Sequence, residues 1–181
     1  MVCIMNDENK KTILLVEDEA VLALTGKMLL EQYGYNILTA DSGEKAVESV
    51  NKTPGIDLIL MDINLGSGID GTQAAEIILK SRDIPLVFLS SHTEPEVVDK
   101  TEKITSYGYV VKNSGITVLD ASIKMAFKLY NAHTKLQNKM DELQRFLKIT
   151  VGRELSMVEL KKEVNDLLKK SGQAEKYKVV E

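Results

Sequence analysis

Cysteine is almost absent from this sequence: Cys3 is the only one. An internal disulfide is therefore impossible, and a reducing compartment fits the composition. Cys3 itself stands in the opening segment and reads as a flexible-tail thiol. Long hydrophobic runs are missing too. No stretch approaches the roughly 20 apolar residues that span a bilayer, and MVCIMNDENKK lacks the zoned pattern of a signal peptide. The expectation is a cytoplasmic chain with no membrane partner, in which the Asn51-Lys52-Thr53 triplet is a chance glycosylation match. Neither a P-loop nor a Gly-rich dinucleotide fingerprint is present, so nothing marks a nucleotide site. What remains is ordinary for a soluble protein: 44% hydrophobic and 28% charged residues in 181, enough for one full domain and an extension.

Charge divides the chain. Residues 1–131 carry 12 Lys and Arg against 19 Asp and Glu, whereas residues 132–181 carry 11 against 8. The two parts thus have different balances, −7 and +3, and different jobs are expected of them. A +3 tail is too weak to indicate nucleic acid by itself. The expected organisation is a flexible tail over 1–10, a domain over 11–131 and a helical extension over 132–181.

Within 11–131, short apolar runs alternate with helical patterns. TILLV (12–16), YNILTA (35–40), DLILM (57–61), IPLVFLS (84–90) and YVV (109–111) read as strands. Helices are expected from Ala20 to a stop at Gly34, from Ser42 and Glu44 to about Lys52, over 70–83, over 94–108, and onward from Ile116. Five strands alternating with five helices imply an α/β fold, a doubly wound parallel sheet joined by right-handed crossovers. Strands this continuously apolar belong to sheets covered on both faces. Ligands of such sheets bind at the carboxyl edge of the strands. That edge receives Glu17, Asp18 and Glu19 after the first strand, Asp62 after the third, Ser90 and Ser91 after the fourth, and Lys112 after the fifth.

Taken singly these residues have plain readings: a solvated acidic loop, a helix-capping Asp, a lysine in solvent. Their joint arrival at successive strand ends points further. Glu17 and Asp18 beside Asp62 would repel one another without a cation, and a hard divalent ion with oxygen ligands suits them. Lys112 offers a second positive contact and Ser90 a hydrogen bond, a set able to receive a phosphoryl group.

ILLVEDE, DLILMDINLGSGIDG, PLVFLSS and GYVVKN, in this order, resemble the response-regulator receiver domain of two-component signalling over residues 11–131. The resemblance implies a flavodoxin-like strand order 2-1-3-4-5 and assigns roles. Asp62 corresponds to the phosphoacceptor. Asp18, Asp62 and the backbone carbonyl of Asn64 correspond to Mg²⁺ ligands, with Glu17 acting through metal-bound water. Ser90 corresponds to the switch hydroxyl, Tyr109 to the aromatic that changes rotamer with it, and Lys112 to the phosphoryl-contacting lysine. Asn64 and His92 flank the phosphoryl group and modulate hydrolysis. Glu19 is left to begin the first helix near its positive end, and His133 is a solvated helix residue. The implied partner is a sensor histidine kinase or a phosphotransfer protein.

Two features depart from the family. Asn113 follows Lys112 where receivers usually carry proline, so a trans peptide or a strained exception is expected. GSGIDG holds three glycines, so its backbone is expected to be mobile or to need positive φ.

The extension resembles the helical linker that joins receivers to later modules in hybrid sensor kinases. Met140, Leu143, Leu147 and Thr150 keep a 3-4 spacing, as do Met157, Leu160, Val164 and Leu167 in a different register. Gly152 lies at the join and SMVE (156–159) could cap a new helix, so two segments broken near Gly152 and a frayed end are expected. An apolar stripe of this kind asks for a partner helix, and a homodimer is the expected one. The leading reading is a phosphorylation-dependent switch that is not an enzyme. The alternatives are a nucleic-acid-binding regulator using the tail, which lacks a compact second core, and an aspartyl-phosphate phosphotransfer enzyme, which lacks a visible second general acid/base and cap domain.

Overall fold

A computed structural model of the chain describes residues 10–91, 104 and 107–178. The chain forms two compact units, Met1–Ala132 and His133–Glu181. His92 and nearly all of the expected helix over 94–108 lie outside the described residues.

In the first unit β1 (Thr12–Val16), β2 (Asn36–Ala40), β3 (Leu58–Asp62), β4 (Leu86–Ser90) and β5 (Tyr109–Val111) form one parallel sheet in the order β2-β1-β3-β4-β5. Between them run α1 (Ala20–Gln32), α2 (Gly43–Lys52) and α3 (Gly71–Ser81). This is the doubly wound parallel sheet expected from the alternation of patterns, in the flavodoxin-like order that the receiver resemblance implies. Local chemistry sets the helix ends. Gly34, at φ 92°, stops α1 with its N–H donated to the Glu31 carbonyl. Ser42 caps α2 by accepting from Lys45 N–H at 3.3 Å. Asp70 caps α3 in a reciprocal box with Gln73.

Successive residues of each strand feed opposite layers, which is why the strands are apolar throughout. Leu14, Val16, Ile59, Met61 and Phe88 pack with Ala46 and Val50 of α2 and Ala74, Ala75 and Ile78 of α3. Ile13, Leu15, Leu58, Leu60, Val87 and Leu89 pack with Leu30 of α1 and with Ile123 and Ala126 of the C-terminal helix. At roughly 1.5–3 kcal/mol per buried aliphatic side chain, these two layers dominate the favourable side of folding. Arg82 adds a polar clamp, donating to the carbonyls of Val50, Thr53, Pro54 and Ile56 across the α2–β3 turn. α1 differs from the other helices. Leu30 is its one buried residue, while Val21 is 76% and Leu24 60% exposed, with Leu22 and Met28 also open.

The C-terminal helix runs unbroken from Ile116 to Lys170. The expected break near Gly152 and the restart at SMVE do not occur. A mid-helix glycine costs about 1 kcal/mol relative to alanine, whereas stopping and nucleating again costs about 4 kcal/mol for a nucleation constant near 10⁻³. Continuity is the cheaper solution. Along the helix Leu143, Thr150, Met157 and Val164 are seven residues apart and share one stripe, while Met140 with Leu147 and Leu160 with Leu167 keep different registers. The chain leaves the helix in an ordered turn. Gly172, at φ 78°, closes the helix, Gln173 donates to the Leu168 carbonyl, and the chain turns back. Buried Asn165 then holds the returning segment, accepting from the N–H groups of Lys176 and Tyr177 at 3.0 Å each and donating to the Tyr177 carbonyl at 2.7 Å.

Candidate phosphoacceptor site

β1 and β3 are neighbours in the sheet and β5 lies beyond β4, yet each of the three delivers one charged group to the same carboxyl edge. Glu17 follows β1, its N–H donated to the Ala40 carbonyl, and is 4% exposed. Asp62 closes β3 and is 2% exposed. Lys112 follows β5 in a single 3₁₀ turn, Lys112–Ser114. Its ammonium lies 2.7 Å from Glu17 Oε2 and 2.7 Å from Asp62 Oδ2, so one cation ties two strand ends together. The other Asp62 oxygen accepts from the Asn64 N–H at 3.2 Å. Asp18 is exposed at the rim, and oxygen atoms of Glu17, Asp18 and Asp62 all fall within 4.8 Å of one another.

The electrostatics are unbalanced. Three carboxylates face one ammonium, and two of the three are buried. Burial pushes the Glu17 carboxyl above its ordinary range, against the opposing pull of Lys112. Burial alone would lower the Lys112 ammonium, but its hydrogen bonds to Asp62 and Glu17 outweigh that and hold it above the ordinary lysine value. Glu17 Oε1 is buried and has no hydrogen-bond partner among the described residues. An orphaned carboxylate oxygen costs at least ~1–3 kcal/mol. A divalent cation with its water shell fits this donor set: hard oxygens, excess negative charge and an unsatisfied acceptor.

The remaining sequence-predicted residues fall as follows. Ser90 is buried at the end of β4, in register with Val111, and Asp62 is in register with Leu89. Tyr109 is half-buried against the α2–α3 layer. Asn64 is exposed, with its backbone N–H turned to Asp62. His92 lies outside the described residues. Glu19 precedes α1 without a side-chain cap, its carbonyl accepting from Ala23. No cis peptide occurs among the described residues, so the Lys112-Asn113 bond is trans.

The glycine-rich β3–α3 loop is shaped by contacts. Gly66 and Gly68 have φ of 20° and 103°, the second well inside the left-handed region. A Cβ on Gly66 would stand 3.0 Å from Asp18 Oδ2, and one on Gly71 only 1.8 Å from the Asp62 carbonyl oxygen. Reading the sequence missed one participant, Glu44, whose carboxylate accepts from the Ile69 N–H at 2.9 Å. Its only sequence signal was an acid in the first turn of a helix, which fits ordinary helix-end electrostatics equally well.

A cavity of about 280 Å³ opens beside the site, between α1 and the β5 end. Leu22, Leu29, Val110 and Ile116 line it, and Glu17 and Lys112 stand in its wall.

The pattern of the family described as the response regulator receiver domain matches residues 13–124. An uncharacterised transcriptional regulatory protein of Bacillus subtilis, YrkP, is 30% identical over 151 residues, 81% of this chain and 62% of that protein. The transcriptional regulatory protein PdtaR of Mycobacterium tuberculosis is 28% identical over 138 residues, 76% of this chain and 66% of that protein. The chain thus spans just under two thirds of the length of these curated relatives. Among solved structures, the N-terminal domain of a response regulator/sensory box/GGDEF three-domain protein from Carboxydothermus hydrogenoformans is 47% identical. It superposes with a TM-score of 0.64 over 68% of this chain and 99% of that one. With the carboxylates and lysine gathered at one sheet edge and the family pattern covering more than half the sequence, the chain belongs to the response-regulator receiver family of two-component signalling.

Proposed function

We propose that residues 11–131 are a phosphorylation-dependent switch that accepts a phosphoryl group on Asp62, and that residues 132–181 carry its state to a partner. The carrying observation is the shared ammonium: Lys112 bridges Glu17 and Asp62 at 2.7 Å each, while a third carboxylate and an unpaired Glu17 oxygen stand beside them. An Asp62 oxygen attacks phosphorus in a phosphohistidine or acetyl phosphate, the P–N or P–O bond breaks, the leaving group departs with its electron pair, and an acyl phosphate remains. Lys112 exchanges its contact with the Asp62 carboxylate for a phosphoryl oxygen. Ser90 donates its hydroxyl to another, and Tyr109 follows that movement. Asp18, Asp62 and the Asn64 carbonyl would hold Mg²⁺, with Glu17 contributing through water, and the ion would offset phosphoryl charge. Asn64 and His92 modulate hydrolysis. Turnover is confined to self-phosphorylation and autodephosphorylation.

The phosphodonor is a sensor histidine kinase or phosphotransfer protein in the cytoplasm. The cavity beside α1 supports a docking place for it, since an apolar helix laid there would approach Glu17 and Lys112 directly. The occupant of the C-terminal stripe is a second copy of this chain. Leu136, Met140, Leu143, Leu147 and Met157 are exposed along it, at about 1.5–3 kcal/mol for each side chain a dimer would bury. No described helix is long and apolar enough to cross a membrane.

Acetyl phosphate with Mg²⁺ tests the acceptor. Mass spectrometry is expected to find label on Asp62 and none in Asp62→Asn. Label persisting in that variant, or absent from the wild type at any Mg²⁺ concentration, overturns the reading.

A further inference from the structure

The stretch Gly66-Ser67-Gly68 lies beside the site, yet all three residues are exposed and two have positive φ. Such a segment has many conformations available and little burial to choose among them. Its ends are fixed. Leu65 is buried in the α2–α3 layer and Ile69 packs against it. The Gly71 N–H donates to the Ile63 carbonyl at 3.0 Å. Apolar contacts of this kind hold position but not the direction of a peptide plane, because they are non-directional.

The direction comes from α2. Gly43 brings the first turn of that helix against the loop at backbone distance: a Cβ there would lie 2.6 Å from Ile69 Cγ1 and 2.7 Å from the Ile69 carbonyl oxygen. The next residue, Glu44, reaches over and accepts the Ile69 N–H at 2.9 Å. The same carboxylate fills the place of a side chain on Gly68, where a Cβ would stand 2.4 Å from Glu44 Oε1. On the far side of the same loop, a Cβ on Gly66 would stand 3.0 Å from Asp18 Oδ2.

We propose that Glu44 is a positioning residue for the phosphoacceptor site, a latch from α2 that holds the β3–α3 loop in the shape that keeps Asn64 and Gly66 beside Asp62 and Asp18. The proposal rests on Asp62 being the acceptor and adds the group that presents the loop's backbone to the metal. Glu44 is assigned this role through the Ile69 backbone, not as a ligand of the ion or a contact of the phosphoryl group.

The test compares full-length wild type, Glu44→Ala, Glu44→Gln and Glu48→Ala. Glu48 is exposed on the same helix and pairs with Lys52, away from the loop. The readouts are the Mg²⁺ concentration giving half-maximal labelling by acetyl phosphate, and amide hydrogen exchange at Gly66 and Ile69. Glu44→Ala is expected to raise the half-maximal Mg²⁺ by about 3- to 10-fold, the scale of one charge-assisted hydrogen bond partly exposed to water, and to speed exchange at both amides. Glu44→Gln keeps an acceptor oxygen and is expected to restore most of the effect. Glu48→Ala is expected to match the wild type. Wild-type Mg²⁺ dependence and exchange in Glu44→Ala overturn the proposal, as does an equal loss in Glu48→Ala. If the wild type takes no label, the acceptor reading fails, and unaltered exchange in Glu44→Ala then overturns the latch separately.

Discussion

Lys112 shows how much one side chain can carry. It ion-pairs with two buried carboxylates at once, and both lose that partner if the ammonium is removed. Breaking a buried pair from one side costs about 3–5 kcal/mol, so Lys112→Ala is expected to lose about 3 kcal/mol in urea unfolding without Mg²⁺. Mg²⁺ binding, followed by calorimetry, is expected to persist in this variant because the lysine is not a ligand, while its response to acetyl phosphate weakens. A third buried carboxylate, Asp120, accepts from the Tyr35 hydroxyl at 2.8 Å and pairs with Lys124 at 2.7 Å. Burial, reinforced by Asp120, raises the Tyr35 phenol far above the ordinary 10.0, and burial raises Tyr107 as well. Because the folded value is the higher one, the stability Tyr35 contributes is fully present below pH 10.0 and is lost as pH climbs toward the folded value. Tyrosinate absorbance should therefore show late-titrating phenols from Tyr35 and Tyr107, with the Tyr35 contribution missing in Tyr35→Phe. Its alkaline loss of stability should also be shallower.

Among elements, the α2–β3 connection and the C-terminal helix make contrasting cases. The first is held by one guanidinium donating to four carbonyls, a fork that lysine cannot reproduce. Arg82→Lys is expected to cost about 2 kcal/mol in urea unfolding, with Arg82→Ala costing more. The second needs no such device, since its ladder carries it through Gly152. Nothing lies within 4 Å of a Cβ built on Gly152. Gly152→Ala is thus expected to stabilise the extension by about 1 kcal/mol, read as a later loss of helical ellipticity on heating. A broken helix would instead lose its turn and show no such gain.

For the whole molecule the open question is what covers the apolar surface that folding leaves exposed. α1 and the C-terminal helix both present aliphatic side chains to water. If the stripe over 136–157 is a dimer seam, light scattering at tens of micromolar should find a dimer for the full chain and a monomer for a chain ending at residue 131. A dimer that survives the truncation moves the interface to α1 and the sheet domain. A monomeric full chain removes the second copy as the occupant.

Much of this was legible beforehand because it is local. Alternating apolar runs specify five strands, and a residue's place at a strand's carboxyl end specifies the edge it reaches, so Glu17, Asp18, Asp62, Ser90 and Lys112 could be gathered on paper. Ser42 and Gly34 announced helix ends because capping is a matter of a few neighbouring atoms. What sequence could not supply was any quantity set by competition between distant parts. Whether Gly152 breaks a helix depends on the ladder on both sides of it. Whether the segment after the helix is tied back depends on Asn165 meeting the backbone of Lys176 and Tyr177. Glu44 looked like a first-turn acid until the fold brought Ile69 to it across 25 positions. The tertiary structure also decided that a single ammonium is shared between Glu17 and Asp62 and leaves one oxygen unpaired, because that balance depends on distances of a few ångströms between strands that are far apart in the chain.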